Sequence, residues 1–125
     1  MTIKVTVQNG AHHGFSRAEA SAMVKYYPAA WEKIATDVVL YQSNDARLHC
    51  QYFEKSRLLG VFWPGEQYAQ PDKSEAIDEM LVAFAAISQH GTWPLSLSRA
   101  KRADYLLELA PLREKCIGAV SNSCD

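Results

Sequence analysis

The segment from Asp72 to Gly91 constrains the fold most strongly, because its middle is apolar on every side of a helix. Residues Met80 to Ile87 form an unbroken apolar run of 8 residues, whereas the turns before it are polar. A surface helix would show a single apolar stripe, and a helix that is apolar all round must be covered by neighbouring elements. We therefore predict a central buried helix around which a small domain is organised.

Length and composition bound the class of protein. With 125 residues, 48% hydrophobic and 22% charged, the chain fits one globular domain over residues 1–125, and residues 121–125 are expected to form a frayed tail. The longest apolar run is far shorter than the roughly 20 residues that cross a bilayer. The N-terminal residues also lack the apolar core of a signal peptide. We therefore expect a cytoplasmic protein that does not bind membranes.

The cysteines are consistent with that compartment. Cys50, Cys116 and Cys124 are an odd number and lack the spacing of a disulfide framework. Free thiols in a reducing compartment are the simpler expectation, and a bridge between Cys116 and Cys124 is the alternative. Cys50 shares a strand face with apolar neighbours, which predicts a small buried hydrophobic residue.

Alternating and apolar stretches predict four strands. One strand is expected within 2–8, and three more are expected over 37–42, 47–54 and 57–63. Because short connections join antiparallel neighbours, the last three strands are expected to form an antiparallel meander. The predicted class is α+β: an N-terminal strand and helices, a three-stranded antiparallel meander, then a buried central helix and one or two C-terminal helices.

Capping residues indicate where the helices begin and end. Ser16 and Glu19 have the spacing of a capping box, and Asp72 with Glu75 repeats that spacing before the central helix. Gly91 suits the left-handed position that ends a helix. Further helix starts are expected at Pro28, at Ser96 or Ser98, and at Pro111.

The sequence contains no motif of a common catalytic class, since HExxH, the P-loop, GxGxxG, GxSxG and CxxC pairs are all missing. The order of elements resembles that of small zincin-like domains, in which the equivalent helix carries metal ligands. Here that helix offers Glu75, Asp78 and Glu79 at its start but only His90 at its far end. The resemblance implies a metal-free relative at most, so we expect no catalytic residue, metal or cofactor.

Dispersed titratable residues support an alternative function. His12 and His13 lie in a glycine-flanked loop, where histidines can hold a metal or shuttle protons, although zinc requires three or four ligands. A small hydrolase or metal-dependent enzyme would need His49, Glu75 and Glu79 to converge with them in one pocket. The simpler explanation of the carboxylates is their favourable interaction with the helix macrodipole.

The loop after the last strand is the first candidate for binding a partner. Trp63, Glu66 and Tyr68 lie on a segment stiffened by proline, and tryptophan and tyrosine are enriched in binding hot spots. The alternative is that Trp63 and Trp93 fold inward and clamp the two ends of the central helix. The exposure of the two indoles distinguishes these interpretations.

The second candidate is the basic stretch Arg99, Lys101 and Arg102, which either contacts an anionic partner or forms a solvated face. The net charge of -1 provides no general attraction to polyanions, so a nucleic-acid-associated protein is only the second alternative. We expect a non-catalytic module that binds another protein. Self-association as a homodimer would fit equally well, because a meander leaves edge strands that need covering or pairing.

Overall fold

The computed structural model describes residues 3–8, 14–91 and 97–122. In chain order these form β1 (Lys4–Val7), α1 (Arg17–Val24), a 3-10 helix (Ala29–Lys33), β2 (Asp37–Gln42), β3 (His49–Phe53), β4 (Leu58–Trp63), α2 (Lys73–His90), α3 (Arg99–Glu108) and α4 (Ala110–Asn122). A four-stranded sheet combined with helices confirms the predicted α+β class.

The strand order differs from the predicted meander. The sheet runs β1-β2-β4-β3, with β1 parallel to β2 and β2 parallel to β4. Strand β3 pairs with β4 in antiparallel orientation, so that part of the prediction is confirmed. The predicted pairing of β2 with β3 is wrong, because β4 lies between them.

The distribution of apolar residues explains why β4 takes the interior position. Its sequence, LLGVFW, is apolar throughout, as is usual for a strand with a neighbour on each side. Strand β3 carries His49 and Gln51 and tolerates the edge of the sheet better. The connection over residues 43–48 easily spans the distance of about 10 Å that separates strands two positions apart.

Helix α2 is covered on all sides and lies in one core with the inner face of the sheet. The inward residues of the central strands and most of the predicted apolar run are buried, which confirms the expected coverage of this helix. These residues are Val38, Leu40, Leu59, Val61, Met80, Leu81, Val82, Ala83, Phe84, Ala86 and Ile87.

Phe84 of α2 is the centre of an aromatic cluster. Its ring stacks on Trp31 with a centroid distance of 5.2 Å and meets Tyr27 edge-on, also at 5.2 Å. Tyr27 and Trp31 in turn meet edge-on at 4.9 Å. Each such pair contributes roughly 0.5–1.5 kcal/mol beyond the burial of area, so the cluster anchors α2 to the segment between α1 and β2.

The helix ends match most of the predicted caps. The Ser16 hydroxyl accepts a hydrogen bond from the Glu19 N–H at 3.0 Å, and the Glu19 carboxylate accepts one from the Ser16 N–H at 2.9 Å. Ser98 caps α3, and Gly91 ends α2 with a φ of 77°. Asp72 occupies the N-cap position of α2, but its side chain accepts no cap hydrogen bond, so the second predicted capping box is wrong.

Lys73 ties the start of α2 to the capping box of α1. Its ammonium group donates to the carboxylate of Glu19, which is only 5% exposed. Burial on its own raises the pKa of Glu19, but hydrogen bonds from Lys73 and from the Ser16 N–H outweigh it. The pKa of Glu19 therefore lies below its ordinary value.

Replacing the central aromatic ring should destabilise the fold strongly. We expect Phe84→Ala to lower the free energy of unfolding by about 3–5 kcal/mol, because it leaves a cavity among buried rings. Urea denaturation followed by circular dichroism measures the change. Leu107→Ala is the control, since Leu107 is 77% exposed and its loss should cost no more than about 0.5 kcal/mol. Similar losses in both variants would contradict the assigned role of Phe84.

The stability should also depend on pH through Glu19. Because its pKa is lower in the folded state than in the unfolded state, the carboxylate stabilises the protein above the unfolded pKa, and this contribution is lost as the pH falls through the folded pKa. The free-energy difference between wild type and Glu19→Gln should therefore shrink between about pH 6 and pH 3. Glu54→Gln, at an exposed turn, is the control for the loss of one carboxylate. A difference for Glu19→Gln that stays constant with pH would refute the assignment.

Candidate binding groove at the carboxyl end of the sheet

A groove of about 510 Å³ opens beside the ends of the parallel strands β2 and β4. Its walls are the segment after β2, the segment after β4, and helices α2 and α3. In open α/β sheets, ligands bind in crevices outside the carboxyl ends of the strands, where the connecting segments diverge. The groove is therefore the leading candidate for a functional site in this chain.

The wall that follows β4 is held in shape by Trp63 and Gln70. The indole Nε1–H donates to Gln70 Oε1 at 2.5 Å, and Gln70 Nε2 donates to the carbonyls of Gly65 and Tyr68, each at 3.0 Å. Because the Gln70 side chain binds Trp63, Gly65 and Tyr68, this wall has a defined shape.

The position of Trp63 favours the inward interpretation of this residue. Its side chain is only 3% exposed. Its ring lies so close to Gly14 that a Cβ there would come within 2.0 Å of a ring carbon, so only glycine fits. Trp93, the second member of the expected clamp, lies outside the described residues. Trp63 thus shapes the groove through Gln70 instead of presenting its own ring.

The carboxylates on the α2 wall are paired with arginines of the following helices. Glu79 accepts two hydrogen bonds from Arg102 of α3. Asp78 accepts two from Arg113 of α4, with the Arg113 Nε 2.5 Å from Oδ1, and this bonding raises the pKa of Arg113. The Glu79–Arg102 ion pair therefore joins the predicted acidic cluster to the predicted basic stretch.

Two further charges in the groove have no ion-pair partner among the described residues. Glu75 lies in the first turn of α2, and Arg47 lies just before β3; both side chains are exposed. The groove therefore presents one free negative and one free positive group. Leu48 and Leu106, both half-buried, add apolar surface to the lining.

The other predicted partner residues do not line the groove. Glu66 and Tyr68 are exposed on the loop after β4, and Arg99 is exposed at the first position of α3. The Lys101 ammonium lies 5.6 Å from the centroid of a tyrosine ring in the same helix. Of the predicted partner residues, all of which are described, Arg102 is the one that lines the groove.

The described histidines lie away from the carboxylates of the groove. His49 stacks on Phe62 on the opposite face of the sheet, and His90 lies at the far end of α2. Among the described residues, no group of three or more histidine, cysteine and acidic side chains could hold a metal. His12 and His13 lie outside those residues, so the convergence expected of an enzyme is not tested for them.

Cys50 and Cys116 are buried free thiols. Burial raises the pKa of Cys116 to about 11, and burial together with the nearby Glu79 raises the pKa of Cys50 well above its ordinary value. Neither thiol is therefore a nucleophile near neutral pH. The prediction that Cys50 is a buried hydrophobic residue is confirmed, and Cys116 is free rather than bridged, whereas Cys124 lies outside the described residues.

Comparison with known proteins adds no family: no family model matches the chain, and no curated protein or solved structure matches it. Within the described segments, no helix has the length and apolar character needed to cross a membrane. The groove must therefore be interpreted from its own chemistry.

The pairing of Glu79 with Arg102 should be measurable as a coupling energy. In a double-mutant cycle of Glu79→Gln and Arg102→Gln, we expect a favourable coupling of about 0.5–1 kcal/mol in urea denaturation, the upper part of the range for partly exposed pairs. The matched control is a cycle with Arg99→Gln, since Arg99 belongs to the same helix but is exposed. A coupling no larger than that of the control would show that the pair contributes nothing.

Proposed function

We propose that the protein is a non-catalytic cytoplasmic module that binds a segment of another protein in the groove. The observation that carries this proposal is that one groove is lined both by the segment after β4 and by Arg102 of α3, and the other residues predicted to bind a partner belong to the same two regions of the chain.

The dimensions and chemistry of the groove suit a short extended segment. A volume of about 510 Å³ accommodates a few side chains, well within the usual range for binding sites. Apolar lining together with two free charges of opposite sign matches a segment that carries an apolar side chain, an acidic residue and a basic residue. The acidic residue would lie near Arg47 and the basic residue near Glu75.

The electrostatics favour protein over nucleic acid. Arg102 is neutralised by Glu79, and Glu75 adds an unpaired negative charge to the same groove. Phosphate contacts require several free cations, and among the described lining residues Arg47 alone is a cation without an ion-pair partner, so this surface offers a nucleic-acid backbone few contacts. The two buried free thiols, Cys50 and Cys116, support the cytoplasmic part of the proposal.

A peptide-display selection tests the proposal with defined ligands. Random peptides selected on the purified protein should share a pattern that combines an acidic, a basic and an apolar residue. Ala46→Trp fills the groove from an exposed position, so it should weaken the binding of the selected peptides by about tenfold or more, as measured by fluorescence anisotropy. Glu75→Lys should weaken the binding of the selected peptides that carry the basic residue.

The matched control is Ala30→Trp, an equally large change at an exposed alanine that does not line the groove. It should bind the selected peptides as tightly as the wild type does. If no peptide is enriched, or if Ala46→Trp and Ala30→Trp bind equally well, the groove is not a peptide site.

A further inference from the structure

We infer that two copies of the chain associate by pairing their β3 strands in antiparallel orientation about a two-fold axis at Gln51. The result would be one continuous eight-stranded sheet. The inference rests on the edge and outer face of the sheet, so it does not depend on the groove.

Strand β3 is an open edge. It pairs with β4 on one side, and no backbone hydrogen bond from another described segment reaches its other side. Proteins usually protect such edges with charged residues, proline or bulges. The β3 sequence, HCQYF, contains no charged residue and no proline, whereas β1 at the opposite edge carries Lys4. The unprotected edge is therefore the one that β3 forms.

A row of stacked rings crosses the outer face of the sheet toward this edge. Tyr41 of β2 stacks on Phe62 of β4 with centroids 4.8 Å apart and an interplanar angle of 12°. Phe62 also stacks on His49 of β3 at 5.0 Å and 4°. Since β3 is the last strand, the next position in this row belongs to whichever strand pairs with β3.

The chain itself supplies an aromatic ring for that position. If Gln51 lies opposite Gln51 of the second copy, the register places His49 opposite Phe53 of that copy. Phe53 points to the same face as His49 and is 42% exposed, an unusual exposure for a large apolar ring. Symmetry produces this contact twice, so each copy extends the ring row of the other.

The same register satisfies the remaining requirements of an antiparallel pair. All five residues of β3 are paired, and no like charges within the strand face each other. Only short strands meet, so the buried area should fall below the roughly 1,200 Å² of a standard stable interface. We therefore expect a reversible dimer with a dissociation constant in the upper micromolar range.

Sedimentation velocity over a range of protein concentrations tests the dimer, using substitutions that place a charge at the two-fold axis. Wild type should associate, and Gln51→Lys or Gln51→Glu alone should weaken association by about tenfold, because like charges then meet. An equimolar mixture of the two variants should restore it. Thr6→Lys, on the outer face of the opposite edge strand, is the matched control and should behave as wild type.

Disulfide trapping tests the register. In a Cys124→Ser background, Gln51→Cys should form a covalent dimer under mild oxidation, because residues directly opposite lie within disulfide range. Phe53→Cys should cross-link far more slowly, because it lies four residues along the strands, or about 13 Å, from the same residue of the second copy. A wild type that stays monomeric at millimolar concentration, a Gln51→Lys that associates normally, or equal cross-linking of the two cysteines would overturn the inference.

Discussion

The burial of α2 on every side is the constraint on which the rest of the structure depends. No single neighbour can cover a helix that is apolar all round, so the sheet and the other helices must gather around it. Phe84 illustrates the consequence, because its ring is enclosed by Trp31 and Tyr27 from a segment more than 50 residues earlier in the chain. The loss of apolar surface to water is what holds these elements together.

The polar start of α2 complements its buried middle. Lys73 binds Glu19 of α1, and Asp78 and Glu79 bind arginines of α4 and α3. Such partly exposed pairs contribute little energy individually, but each one specifies where a helix lies along α2. The groove lies beside this charged end, so the contacts that order the helices also form one of its walls. Among the described residues, Glu75 has no ion-pair partner on that wall.

The outer face of the sheet has a different character. Helices and the inner face share one core, whereas the outer face carries the Tyr41–Phe62–His49 ring row and the exposed Phe53. The groove at one end of the sheet adjoins the unprotected strand at its edge, because Arg47 and Leu48 of the groove directly precede β3.

Local features of the fold could be predicted from the sequence because nearby residues determine them. The capping box at Ser16, the left-handed Gly91 and the buried run in α2 each depend on a few consecutive residues. Strand positions followed from local patterns in the same way. The unbroken apolar run of β4 also indicated an interior strand, but the prediction relied on the short connections and placed β3 there instead.

The groove could not be predicted in full because its residues come from distant parts of the chain. The acidic turn of α2 and the basic stretch of α3 were each recognised, yet their pairing spans 23 residues and depends on how the helices pack. Arg47 gave no signal of its own, since it reaches the groove only because β4 pairs with β2. The sequence by itself determined the secondary structure and the buried helix, whereas only the tertiary structure decided the strand order, the ion pairs and the groove, because these depend on contacts between residues far apart in the chain.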